Sequence, residues 1–437
     1  MKKKIAVRIV VASTAVAALA LSGCSGGDDS GEDESLTYWA TNMSPTIEQD
    51  EEVLKEHLAG FTEETGIEVD YEVVPWGDYY NKILTAVSSG EGPDVLNIGN
   101  TWSVTLQETG SFLPFDDDAL EAIGGGDRFV ETALESAGKP DETPTFVPLY
   151  SNVYSLFYKP SMFAAAGLTG PPTTYEQFLD YGAQLTLDTD GDGAIDQWGT
   201  SVPGASVQVS SHWAFILGQQ EGADWFTEDG EPQVDSEGMV KAVHTYVNQV
   251  NTIAAPSDAE ITEGAGAVQD FIDGSSAMII VQSPMAQFAQ FDFTDWEVAD
   301  VPELEGGENI QSMVAGINIG VFSETDQKEE SLELVKYLTS DEEQVSLNSQ
   351  FSTLPVVSAA YDDPALEEAD PTIPVREVIL SEHAKPFPLF SATGQAETLL
   401  GTAVVTLIGQ AAVSGSVSEA DVSAALADVQ SQLEAAG

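Results

Sequence analysis

Cysteine is almost missing from this chain: of 437 residues, only Cys24 carries a thiol. A single thiol excludes an intramolecular disulfide and a thiolate-bound metal cluster, so compactness must come from buried apolar area. Positive charge is nearly as scarce. Lys and Arg total 14 against 73 Asp and Glu, and four of the 14 (Lys2, Lys3, Lys4 and Arg8) crowd the N-terminus. A field of this sign repels nucleic acid and anionic headgroups. Beyond position 8 the only arginines are Arg128 and Arg376, which supplies a dedicated phosphate or carboxylate site poorly. So many acids suggest adaptation to high salt, where screening relieves self-repulsion. Also missing beyond residue 35 are a Gly-x-Ser-x-Gly elbow, a His-Glu-x-x-His zinc motif and a Gly-x-x-x-x-Gly-Lys-Ser/Thr phosphate loop. Pairs of carboxylates occur anywhere in so acidic a chain and carry no weight for glycoside hydrolysis. No enzymatic activity is expected, and no cofactor is required.

What is present begins with an apolar run from Ile9 to Leu21 behind the basic cluster. It is too short to span a bilayer as a helix and has the form of a secretory signal. Leu21-Ser22-Gly23-Cys24 then resembles the lipobox of bacterial lipoproteins, in which the cysteine is acylated and becomes the new N-terminus. Residues 1–23 are therefore expected to be a signal peptide and 24–35 an acidic Gly/Ser tether. The expected location is extracytoplasmic, anchored to the cell membrane through a lipidated Cys24. The roughly 400 residues that remain exceed what one core usually holds, so two domains are expected.

Along that remainder, "SLTYWAT" (35–41) reads as a strand and "EEVLKEHLAGFTEETG" as a helix stopped by Gly66. "IEVDYEVVP" alternates as a strand, "YYNKILTAVSSG" returns to helix, and "DVLNIG" (94–99) is a buried strand. This alternation is the opening of an α/β domain with a largely parallel sheet, where ligands bind at the carboxyl ends of strands. Those ends are the loops after Trp39 and Ile98. Further on, Thr173-x-x-Glu176 and Ser340-x-x-Glu343 read as capping boxes. "AVQDFIDGSSAMIIV" gives a helix, turn and buried strand, and the stretch from Gly394 is Ala- and Val-rich with helical character.

The order of "FTEETGIEVDYE", "GEGPDVL", "VPLYSNVYSLFYKPSMFAAAGL", "PPTTYEQFL", "FIDGSSAMIIV" and "AGINIGVFSET" before "TLPV" resembles the bacterial extracellular solute-binding proteins of family 1. These are sugar-binding lipoproteins of ABC importers, with maltose-binding protein as a distant relative. The resemblance implies an α/β, two-lobed periplasmic-binding-protein-like (type II) fold with a hinge and an inter-lobe cleft. Lobe 1 would take 36–148 and 309–357, and lobe 2 would take 149–308 and 358–437. It also implies a carbohydrate ligand, permease membrane subunits as partners and a monomeric state. A sugar site needs aromatic platforms for C–H faces and polar side chains for hydroxyls. Residues of that kind at the family's ligand positions are Trp39, Asn42, Asn100, Trp102, Tyr150, Asn152, His212, Trp213, Gln282 and Met285. Gly316, for close backbone approach, and Phe390 complete the set.

Separately, Asp188, Asp190 and Asp192 fall at calcium-loop spacing in "DTDGDGAID" (188–196), although Gly199 stands where a bidentate Glu is usual. A structural Ca2+ and a solvated acidic turn both remain open. Two rival functions stay open as well. One is a cation–π site for an osmolyte such as betaine, and the other is a secreted glycoside hydrolase.

Overall fold

The computed structural model describes residues 35–44 and 46–436. The expected signal peptide, Cys24 and nearly all of the tether lie outside the described residues.

Strand β1 (Leu36–Thr41) is followed by the Ile47–Thr65 helix, whose first turn is capped by the Thr46 side chain accepting from the Gln49 amide. Leu54, Leu58 and Phe61 turn inward, and Gly66 ends the helix at φ 82°, a conformation that favours glycine. β2 (Val69–Val74) and β3 (Val95–Gly99) lie parallel to β1 on either side of it. The chain returns much later as β10 (Ala315–Val321), antiparallel between β3 and β4 (Val147–Asn152). The sheet order is β2-β1-β3-β10-β4.

A second sheet has the order β6-β7-β5-β8, built from β5 (Ser155–Tyr158), β6 (Trp198–Thr200), β7 (Ser276–Val281) and β8 (Glu297–Ala299). Its largest apolar cluster is organised by the Val207–Gln220 and Thr393–Ser414 helices, which pack on each other. Their approach depends on Gly401, where an added Cβ would lie 2.1 Å from the Val207 carbonyl oxygen. The Thr393–Ser414 helix is long and apolar enough to cross a membrane, yet it serves here as a core helix of this lobe.

The apolar clusters show where the chain changes lobes. Val153 belongs to the first core and Tyr154 to the second, Met313 to the second and Val314 to the first, Ala384 to the first and Phe387 to the second. The chain therefore crosses three times. These crossings differ from the expected boundaries. β4 stays hydrogen-bonded to β10 through Asn152, so the first switch comes at 153/154 and not at 148/149. The second comes at 313/314 and not at 308/309. Leu366, Ile373, Ile379 and Leu380 pack into the first core, so residues 358–384 leave the second lobe. A short parallel pair, β9 (Ser312–Met313) with β11 (Ala384–Lys385), joins the second and third crossings. One capping assignment also moves: Thr174, not Thr173, caps the Tyr175–Leu185 helix, accepting from the Gln177 amide. Ser340 caps its helix as expected.

Candidate ligand site between the lobes

On the first lobe, the chain leaves β3 in a 3₁₀ turn, Asn100–Trp102. Asn100 donates its side-chain amide to the Val314 carbonyl at 2.8 Å, tying this turn to the second crossing. Trp102 packs edge-on to Trp76 (centroids 5.3 Å, 77°) and against Tyr80 (4.9 Å). Gly99 leaves room for this pair, since a Cβ there would sit 3.2 Å from the Trp76 ring. Asn42 accepts from the Trp76 amide at 3.2 Å, and Trp76 is 39% exposed. Asn42, Asn100 and Trp102 are thus brought together, with Trp76 added to them.

On the second lobe, Tyr154 hydrogen-bonds through its hydroxyl to His212 Nδ1 at 2.8 Å, directly after the first crossing. The His212 ring meets Phe387 edge-on at 5.4 Å, and its Nε2 lies 3.9 Å from a carboxylate oxygen of Glu397. Burial pushes His212 down to about 3, so the ring is neutral, and pushes Glu397 up to about 7. Phe390 is half-buried against Phe226. Gln282 stands one position beyond the Val281–Ser155 pair, which carries it beside Tyr154 at the lobe junction. The two faces meet. The Asn100–Trp102 turn lies beside the Thr393–Ser414 helix, and the Ser391 hydroxyl donates to Glu108, which also pairs with Lys139.

Several expected site residues do other work. Trp39 packs beneath the Trp76–Ser89 helix, and the Lys82 ammonium covers its ring at 3.9 Å from the centroid. Trp213 stacks on Tyr246 (5.7 Å, 14°) inside the second core, because the Val207–Gln220 helix is buried all round from Ser210 onward. Tyr150 is buried in the first core with its ring against Phe351. Asn152 accepts from Arg376 Nη2 at 2.6 Å and so serves the first crossing. Gly316 is demanded by strand pairing, since a Cβ would lie 2.6 Å from the Tyr150 carbonyl oxygen. Met285 packs against the satellite core around Phe288. Tyr154 and Glu397 were not anticipated. Glu397 had a readable signal, being the only charged residue in the Thr393–Ser414 helix.

At the acidic loop, carboxylate oxygens of Asp188, Asp190 and Asp196 lie within 4.8 Å of one another. Asp196 takes the place expected for Asp192, whose carboxylate accepts from the Ala194 amide at 2.8 Å. Three carboxylates on one exposed loop suit a hard cation. Two open hollows, of about 430 Å³ beside Leu120 and Gly125 and about 750 Å³ beside Val345 and Ala360, include none of the inter-lobe residues.

Two α/β lobes, three crossings and aromatic and amide side chains at the junction define a two-lobed binding-protein fold. Residues 44–345 match the bacterial extracellular solute-binding protein family, and the chain belongs to it. A putative binding protein of Brucella abortus (strain 2308) is 23% identical over 189 residues, 43% of this chain and 44% of that protein. The diacetylchitobiose binding protein DasA of Streptomyces coelicolor is 26% identical over 274 residues, 60% and 59% of the two chains. The chain spans about half the length of such curated relatives. The maltose-bound structure of T. maritima MalE3 superposes with a TM-score of 0.75 at 19% identity, covering 92% of this chain and all of that one. That likeness establishes the shared fold.

Proposed function

We propose that this protein is the substrate-binding component of an ABC importer, holding a neutral mono- or oligosaccharide between its lobes and presenting it to permease membrane subunits. It works as a monomer held to the outer face of the cell membrane through acylated Cys24, and it does not turn its ligand over. The observation that carries the reading is that the Trp76–Trp102 indole pair, Trp76 exposed and Trp102 half-buried, and the Tyr154–His212–Glu397 group stand on elements of the two lobes that lie side by side, the Asn100–Trp102 turn and the Thr393–Ser414 helix. Rings supply platforms for sugar C–H faces, and the polar set supplies partners for hydroxyls. The nearby lysines are engaged, Lys139 with Glu108 and Lys385 with Gln219, which suits an uncharged ligand. The diacetylchitobiose-binding relative and the maltose-bound structure support the same class of ligand.

Closure follows if the ligand makes contacts in the closed form that it lacks in the open one. A thermal-shift screen of maltose, diacetylchitobiose and xylose, with betaine and spermidine as controls, tests the reading. A sugar should raise the melting temperature and scattering should show a more compact protein. Trp102→Ala should weaken binding by about one to two decades, as expected for losing roughly 1–3 kcal/mol of aromatic contact. Stabilisation by betaine alone would refute the sugar assignment.

A further inference from the structure

The Thr393–Ser414 helix runs 22 residues with a single charge, Glu397, and that charge is placed where it costs stability. Its side chain is 16% exposed and makes no hydrogen bond among the described residues. Its only ion-pair neighbour there within 4 Å is His212, through Nε2 at 3.9 Å. The other imidazole nitrogen is committed to the Tyr154 hydroxyl, which leaves Nε2 without a hydrogen bond among the described residues as well. Two unsatisfied polar groups thus sit side by side in a largely desolvated spot. Holding a carboxyl and a ring nitrogen largely out of water without partners is unfavourable for each. Replacing both with apolar groups would improve packing. The fold gains nothing from Glu397 at this position.

The spot is also where the lobes meet. The first-lobe turn Asn100–Trp102 lies beside this helix, and Ser391, two residues before it, bonds to Glu108 of the first lobe. We infer that Glu397 and His212 Nε2 form a ligand subsite on the second lobe that binds two neighbouring hydroxyls of a neutral sugar. A carboxyl and a neutral imidazole together can both accept and donate, which matches a diol, whose hydroxyls each do both. An anionic ligand is excluded by chemistry, because a second negative group would face Glu397 with no cation to offset it.

The inference rests on the sugar reading above, and the experiment separates the two. Glu397→Gln and Glu397→Ala are titrated calorimetrically with maltose, diacetylchitobiose and xylose, and their ligand-free melting is measured at about pH 8. Wild type should bind a sugar of this panel, and both variants should bind it about 10- to 100-fold more weakly. Ligand-free Glu397→Gln should melt above wild type, because the buried charge is gone and the shape is kept. Binding that both variants retain at wild-type affinity overturns the subsite while leaving the sugar reading intact. A ligand-free Glu397→Gln that melts below wild type makes Glu397 a structural carboxyl and overturns it too. A wild-type protein that binds none of the panel overturns the sugar reading and this subsite together.

Discussion

Three buried groups make the stability of this protein depend on pH between about 5.5 and 8, where nearly all of its carboxylates are already ionised. Asp258, 1% exposed, accepts from the Val202 amide, and burial with nearby Asp270 pushes it up to about 7. Glu397 is pushed up to about 7 by burial, and His212 down to about 3 by the same cause. Each acid is protonated in the folded state below about pH 7 and in the unfolded state only near pH 4, so each adds stability as the pH falls through 7. His212 acts oppositely. The unfolded chain takes up its proton below about 6.5 while the folded one does not, so stability is lost as the pH falls.

Two protons in favour and one against leave a net of one, about 1.4 kcal/mol per pH unit well below 6.5. Integrated from about pH 8 to about pH 5.5, wild type should gain roughly 2–3 kcal/mol. Denaturant unfolding at several pH values in constant molar salt measures this directly, with the salt suppressing long-range repulsion. In Glu397→Gln or Asp258→Asn the gain should shrink to less than about 1 kcal/mol, and in the double variant its sign should reverse. A wild-type profile flat across this range, or single variants that keep the full gain, would refute the reasoning.

Other consequences can be checked separately. Trp213→Ala should cost about 3–5 kcal/mol of stability, because it empties the stack on Tyr246, whereas Trp102→Ala, which removes a half-buried ring, should cost clearly less; equal melting losses would count against this division. Calcium should raise the melting temperature by binding the folded loop at Asp188, Asp190 and Asp196, and Asp190→Ala should abolish that gain without altering sugar affinity. Identical melting curves in calcium and in chelator would identify an ordinary acidic turn. If Cys24 is the lipidated residue, as proposed above, Cys24→Ser should still be exported but appear in the soluble fraction; retention in membranes after a salt wash would contradict lipidation.

The first lobe was legible because its elements are amphipathic: Val69, Tyr71 and Val73 alternate with exposed Asp70 and Glu72, Gly66 ends a helix at a positive φ, and Ser340 starts one with its capping hydroxyl. The second lobe's central helix was not, because it is buried on all sides from Ser210 to Gln220. With no polar face, nothing in its sequence says that His212 points to the junction and Trp213 to the core. The packing of Trp39 was hidden for a related reason. It belongs to the sheet's first strand, but the Trp76–Ser89 helix lies over it, and only packing reveals that cover. That residues 358–384 belong to the first lobe depends on Arg376, which is fully buried and bonds to Asp370 and Asn152. Those partners are six and 224 residues away, a separation no local pattern encodes.

The pairing of Ser312–Met313 with Ala384–Lys385 has a mechanical consequence. Two of the three connections between the lobes are zipped into a ribbon, and a ribbon flexes easily across its flat face but resists bending within its own plane. Relative motion of the lobes is thereby reduced from a general wobble to a swing about one axis, with Val153 on the remaining connection acting as a second pin. A door on two hinges has one way to shut, so the search for the closed arrangement is short whichever molecule lies between the lobes.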